Sequence, residues 1–143
     1  MNIIILKQDI ATALSRESSL VSKGAFTESG SSLYDIIYIG EQEFNTLEGA
    51  FQDAVSALVT VIREFLASDP TQNGQSVKFS LRKSYPEMED ALKSDIRSYI
   101  TKKMMAQWLS VVYPAQVKQY EQAAMTSLHN LNQKLYYKAP PMR

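Results

Sequence analysis

The side chains best suited to chemistry in this chain are few and scattered. His129 is the sole histidine and there is no cysteine. A lone imidazole with no thiolate or second histidine cannot build the usual tetrahedral zinc site. As a general base it would need a nucleophile held within hydrogen-bond reach, and no such pattern surrounds it. It reads as a surface or half-buried helix residue. Glu87, Glu89 and Asp90 crowd one turn, as carboxylates paired for metal binding or acid–base work would. They also follow Pro86 at the start of a helical pattern, where the helix dipole favours anions, and that reading accounts for them. Glu41 and Glu43 are dismissed on similar grounds. The five glycines, at 24, 30, 40, 49 and 74, are spread out. None forms a phosphate-cradling loop, a dinucleotide fingerprint or a nucleophile elbow. No catalytic, cofactor-binding or metal-ligating residue is assigned, and the chain reads as a non-enzyme.

Two further groups could bind rather than react. Lys78, Arg82, Lys83, Lys93, Arg97, Lys102 and Lys103 concentrate positive charge, and Lys93, Arg97 and Lys102 can share one helix flank. Phosphate contacts need only such charge. Glu89, Asp90 and Asp95 are interspersed, however, and the sequence pI of 6.6 is low for a dedicated nucleic-acid binder. A solvated helix face is the first reading, a protein-facing patch the second and a nucleic-acid surface the third. Tyr99, Met104, Met105 and Trp108 resemble an aromatic ligand pocket, but at helical spacing they fit a core stripe better.

The elements that must position these residues follow from periodicity. Leu6, Ile10 and Leu14 fall four apart and mark a short helix that frays through Ser15–Ser22 and stops by Gly24. Residues 24–32 read as a loop. Leu33–Ile39 fits a short helix or a buried strand, with helix weakly preferred. Phe44, Leu47, Phe51, Val55, Leu58, Ile62 and Phe65 recur at steps of three and four, which predicts one amphipathic helix of about six turns. It ends before Asp69-Pro70, and Gly49 inside it marks a close approach or a bend. Residues 69–76 are a polar turn. Val77, Phe79 and Leu81 alternate with Lys78, Ser80 and Arg82, the one clean period-two signal. Such a strand needs a partner, either Ile36–Ile39 or another subunit. A third helix starts at Pro86 and carries Met88, Leu92, Ile96, Tyr99, Ile100, Met104, Trp108 and Val111. Tyr113-Pro114 breaks it. A fourth follows, with Val117, Tyr120, Ala124, Leu128, Leu131 and Leu135 on its apolar face. The two must meet at a corner or fold back as a hairpin.

The expected fold is therefore mainly α, a four-helix-type bundle with one strand or small β-hairpin near residues 76–84. The 143 residues suit one domain, with residues 136–143 as an extended docking tail. No apolar run approaches the ~20 residues that cross a bilayer. Ile3–Leu6 is too short and wrongly flanked for a signal peptide. The lack of cysteine fits a reducing compartment.

Charge is unevenly placed. Residues 1–70 carry four basic against ten acidic side chains, a net of −6, and residues 71–143 carry eleven against five, a net of +6. Either the halves fold together and neutralise, or the subunit presents an acidic and a basic flank and stacks on a copy of itself. The tail is adhesive in composition: Tyr136, Tyr137, Lys138, Pro140, Pro141 and Arg143 form a candidate interface, read equally as a docking arm or a frayed end.

The C-terminal half also resembles a known group. A strand at Val77–Leu81 precedes a Pro-started helix with Tyr99-Ile100 and Gln107-Trp108-Leu109. A break at Pro114, a helix with Tyr120, Leu128 and Leu135, and a basic Pro-containing end complete the pattern. This resembles small structural proteins of tailed phages and prophages of gut Bacteroidetes, and in size and helix pattern it is similar to head–tail connector (adaptor) proteins. The resemblance covers residues 76–143 and implies a virion structural protein of the neck or tail. Its partners would be its own copies in an oligomeric ring and the portal and tail proteins. It implies no membrane, no cofactor, and nucleic acid only as DNA passing through a ring lumen. The protein would sit in the phage particle after assembly in the bacterial host cytoplasm. The alternative is a small helical binding or regulatory module acting on a protein or nucleic-acid partner.

Overall fold

The computed structural model describes residues 1–25 and 30–136. The chain runs β1 (Asn2–Leu6), α1 (Lys7–Lys23), α2 (Tyr34–Ile37), α3 (Glu41–Asn45), α4 (Glu48–Ile62), β2 (Thr71–Gln72), β3 (Ser76–Ser80), α5 (Glu89–Val112) and α6 (Val117–Leu135). It is mainly helical, with a small three-stranded antiparallel sheet in the order β1-β3-β2.

The sheet corrects the expectation for the strand's partner. Neither Ile36–Ile39 nor another subunit pairs with Ser76–Ser80; the first residues of the chain do. Ile3 lies opposite Phe79 and Ile5 opposite Val77, and all four are fully buried against the helices. Ile4 and Leu6 face outward at 46% and 44% exposure. Leu6 therefore belongs to the strand and not to the first helical stripe. The run Ile3-Ile4-Ile5-Leu6 hid its alternation because its outward positions are also apolar, which erases the period-two signal. Residues 71 and 72, placed in a polar turn by composition, form the short β2.

The first helix does not fray at its serines but continues to Lys23. Ser18 and Ser22 are buried, and their hydroxyls donate to the carbonyls of Ser15 and Ser19 at 3.2 and 2.8 Å. Ser15 donates to the Ile39 carbonyl at 2.7 Å, and Ser18 Oγ accepts from the Ile39 amide at 2.8 Å. The two bonds to the Ile39 main chain tie α1 to the segment after α2, and this tertiary contact outweighs the local back-bonding of Ser18 and Ser22. The one-turn α2 places Ile37 and Ile39 in the core, and the weak helical reading of 33–39 holds for that turn.

The long helix expected over 44–65 is two helices and a 3₁₀ turn. At the start of α3 the Gly40 amide donates to the Glu43 carboxylate at 3.1 Å. At its end the Thr46 amide and hydroxyl both donate to the Glu43 carbonyl, at 3.1 and 2.7 Å. That tight turn separates α3 from α4, although the apolar spacing runs on across the break. A Cβ added at Gly49 would meet nothing within 4 Å, so no close approach explains it; it lies one residue inside the start of α4. Arg63–Phe65 closes this segment as a 3₁₀ turn.

Helix α5 starts at Glu89, three residues after Pro86. Tyr113-Pro114 ends it, a 3₁₀ turn at Pro114–Gln116 follows, and α6 folds back antiparallel. Lys134 reaches Asp95 at 2.6 Å, the Ser98 and Ser127 hydroxyls bond at 2.8 Å, and Lys102 lies 5.4 Å from the Tyr120 ring centroid. Leu92, Ile96, Ile100, Met104 and Met105 of α5 form the centre of one continuous core with Leu58, Ile62, Leu128 and Leu131. Tyr99 is buried there too, and half-buried Trp108 donates its Nε1–H to the Ile37 carbonyl at 2.7 Å. These residues are core, as their spacing indicated.

Candidate functional site

The main polar constellation lies where the two halves of the sequence meet. Helix α1 presents Asp9, Thr12, Arg16 and Glu17 along one side of a cleft of about 450 Å³, and α5 presents Ser94, Arg97, Ser98, Thr101 and Lys102 along the other. Glu17 accepts from the Lys102 ammonium at 2.8 Å and from the Tyr120 hydroxyl at 3.0 Å. Asp9 pairs with Arg97 at 3.6 Å. Partial burial pushes the Glu17 carboxyl up, but Lys102, Tyr120 and Arg16 outweigh it and hold it below the ordinary carboxylate range. The Tyr120 hydroxyl is driven well above its ordinary range, first by burial and then by the neighbouring Glu17 charge and hydrogen bond. The buried Thr101 hydroxyl in this wall has no hydrogen-bond partner among the described residues. Each charged group beside Glu17 holds it ionised and occupied, so the cluster works as a clamp between α1 and the α5–α6 hairpin. It has none of the poised, half-satisfied character of a general base.

The residues singled out in the sequence are dispersed by the fold. His129 is exposed on α6, away from the cleft lining. Glu87 is exposed just before α5, and Glu89 and Asp90 are exposed in its first turn. Of the basic set, Arg97 and Lys102 are committed to Asp9 and Glu17, and Arg82 donates to the Leu66 carbonyl at 2.7 Å. The flank imagined for Lys93, Arg97 and Lys102 is thus partly neutralised. Among the described residues no three His, Cys, Asp or Glu side chains gather as metal ligands, and no helix is long and apolar enough to cross a membrane.

Of the candidate interface, Tyr136 lies at the end of α6, and Tyr137, Lys138, Pro140, Pro141 and Arg143 lie outside the described residues. Tyr136 packs edge-on against Phe65, ring centroids 4.7 Å apart at 88°, and its hydroxyl donates to Glu64. That hydrogen bond is the main cause of its hydroxyl being pushed up. The side chain still stands 60% exposed. One residue earlier, the Leu135 carbonyl accepts from the Tyr85 hydroxyl at 2.8 Å. Tyr136 is therefore held where the 3₁₀ turn after α4, the segment after β3 and the end of α6 converge.

The sequence reading missed the Glu17–Lys102–Tyr120 cluster. Glu17 appeared only as an off-stripe residue and Tyr120 only as an apolar one, and no local spacing links positions 85 and 103 residues apart. Comparison with family models, curated proteins and solved structures finds no match to this chain.

Proposed function

We propose that this protein is a non-catalytic structural subunit of a phage or prophage virion, most specifically a head–tail connector of the neck that forms a ring between portal and tail. On this reading its four longer helices serve as one bundle-like body, and its partners are neighbouring copies and the portal and tail proteins. The observation that carries the proposal is the charge that the fold leaves uncommitted. A head-to-tail ring needs two different, complementary surfaces on every subunit. Among the described residues, the ion pairs joining the −6 and +6 halves are Asp9–Arg97 and Glu17–Lys102. Asp35 and Glu41 stay exposed on α2 and α3, and Lys83 and Lys118 stay exposed after β3 and on α6. Acidic and basic groups are thus available on different elements to meet their opposites on a neighbour. The resemblance of residues 76–143 to connector-like proteins points the same way, and their helix–break–helix pattern folds as the α5–α6 hairpin.

Electron microscopy of the purified protein tests the reading. It predicts rings of uniform diameter with an open centre; particles no larger than a single chain at every concentration would contradict it.

A further inference from the structure

The sheet has two edges, and they are built differently. The β2 edge is two residues long, polar and preceded by Pro70, which has no amide hydrogen to offer. Short length and proline are common protections against unwanted strand pairing. The β1 edge has neither. It is five residues long, Asn-Ile-Ile-Ile-Leu, with no charge and no proline.

Its main chain is also open. Leu81 donates to the Met1 carbonyl, the Met1 ammonium bonds the Leu81 carbonyl, and Lys7 donates to the Gln75 carbonyl. Positions 1, 3, 5 and 7 therefore turn their peptide groups toward β3. By the same alternation Asn2 and Ile4 turn theirs away from it, as does the amide of Leu6. No other strand lies there among the described residues. Beside this edge the outward face of the sheet shows Ile4 and Leu6, nearly half exposed.

We propose that β1 pairs antiparallel with β1 of a second copy, about a two-fold axis midway between the two Ile4 residues. The occupant follows from self-complementarity. With Ile4 opposite Ile4 of the partner, the two Ile4 residues exchange both main-chain bonds, and each Leu6 amide reaches the partner's Asn2 carbonyl. The outward Ile4 side chains become direct cross-strand neighbours, an arrangement that stabilises paired strands. The strand is uncharged from Asn2 to Leu6, so no like charges oppose each other along the paired residues. This contact stands apart from the head-to-tail one and does not rest on the virion reading. By itself it closes at a dimer; combined with a ring it would join two rings face to face.

The absence of native cysteine allows a direct test. A hydrogen-bonded antiparallel pair has Cα atoms about 5.5 Å apart, inside the range a disulfide spans. The full chain carrying Ile4→Cys should form a disulfide-linked dimer under mild oxidation, whereas Met125→Cys, exposed on α6, should not at equal concentration. In the cysteine-free chain, Ile4→Lys should raise the dimer dissociation constant roughly tenfold or more, and Ile4→Val should leave it near wild type. Cross-linking no faster at position 4 than at 125, or an Ile4→Lys chain that dimerises like wild type, overturns the proposal. Rings that survive Ile4→Lys at wild-type size would remove this contact and leave the virion reading standing. A species that stops at two chains would do the reverse.

Discussion

The carboxylate of Glu17 lies 2.8 Å from the ammonium of Lys102, a bond that joins residues 85 positions apart. It ties the acidic first half to the basic second half through the face where α1 meets the α5–α6 hairpin. Tyr120 completes the clamp from α6 at 3.0 Å.

The clamp gives a signed pH dependence. Glu17 titrates lower in the folded chain than its ordinary value of 4.5. Its contribution is therefore fully present above that value and is lost as pH falls through the lower, folded one. Glu17→Gln should lower stability at pH 7, and the gap from wild type should narrow as pH drops below about 4.5. Urea titrations at several pH values would measure this, and a gap that stays constant would show that Glu17 gains nothing from its charge.

Ser18→Ala should be costly, because Ser18 is buried. The substitution leaves the Ile39 amide, in a fully buried residue, without its acceptor. Stranding a buried donor costs roughly 1–3 kcal/mol. Among the described residues the Ser22 hydroxyl bonds just its own helix, so Ser22→Ala should cost less. Equal losses in denaturant titrations would mean that the Ile39 contact is not formed in solution.

Alternation in β1 predicts opposite results for neighbouring isoleucines. Ile5 is 1% exposed, and Ile5→Ala should cost about 2–5 kcal/mol. Ile4 faces outward, and Ile4→Ala should change monomer stability by no more than about 0.5 kcal/mol. Comparable losses at both positions would contradict the strand and its register.

Most of the helical frame was legible because each long helix shows an apolar stripe against polar neighbours. The α5–α6 hairpin followed from Tyr113-Pro114, where a missing amide hydrogen and a restricted preceding residue stop the helix whatever the tertiary setting. What stayed hidden depended on distant partners. Ile3–Leu6 is apolar at inward and outward positions alike, so nothing local marked it as the strand beside Phe79. Ser15 and Ser18 read as helix-weakening until the Ile39 main chain lies against them. The split at Thr46 is set by hydrogen bonds to Glu43 that leave the three-and-four spacing intact. The clamp was illegible for a similar reason, since its members come from three helices.

Shortening the chain to end at Tyr136 should leave its thermal midpoint unchanged and impair assembly. Leu135 completes the core face of α6 and Tyr136 packs on Phe65, so both stay in the shortened chain. A markedly lower midpoint with unaltered assembly would show that the segment from Tyr137 to Arg143 supports its own subunit, and the docking arm would be abandoned.

The charge-matched ring is tested most directly by sedimentation of the full chain across a salt series. At low ionic strength the account predicts a closed species of fixed, high mass. This should give way to smaller species toward 1 M salt, where the screening length falls to about 3 Å. A single chain at every salt and protein concentration would contradict it.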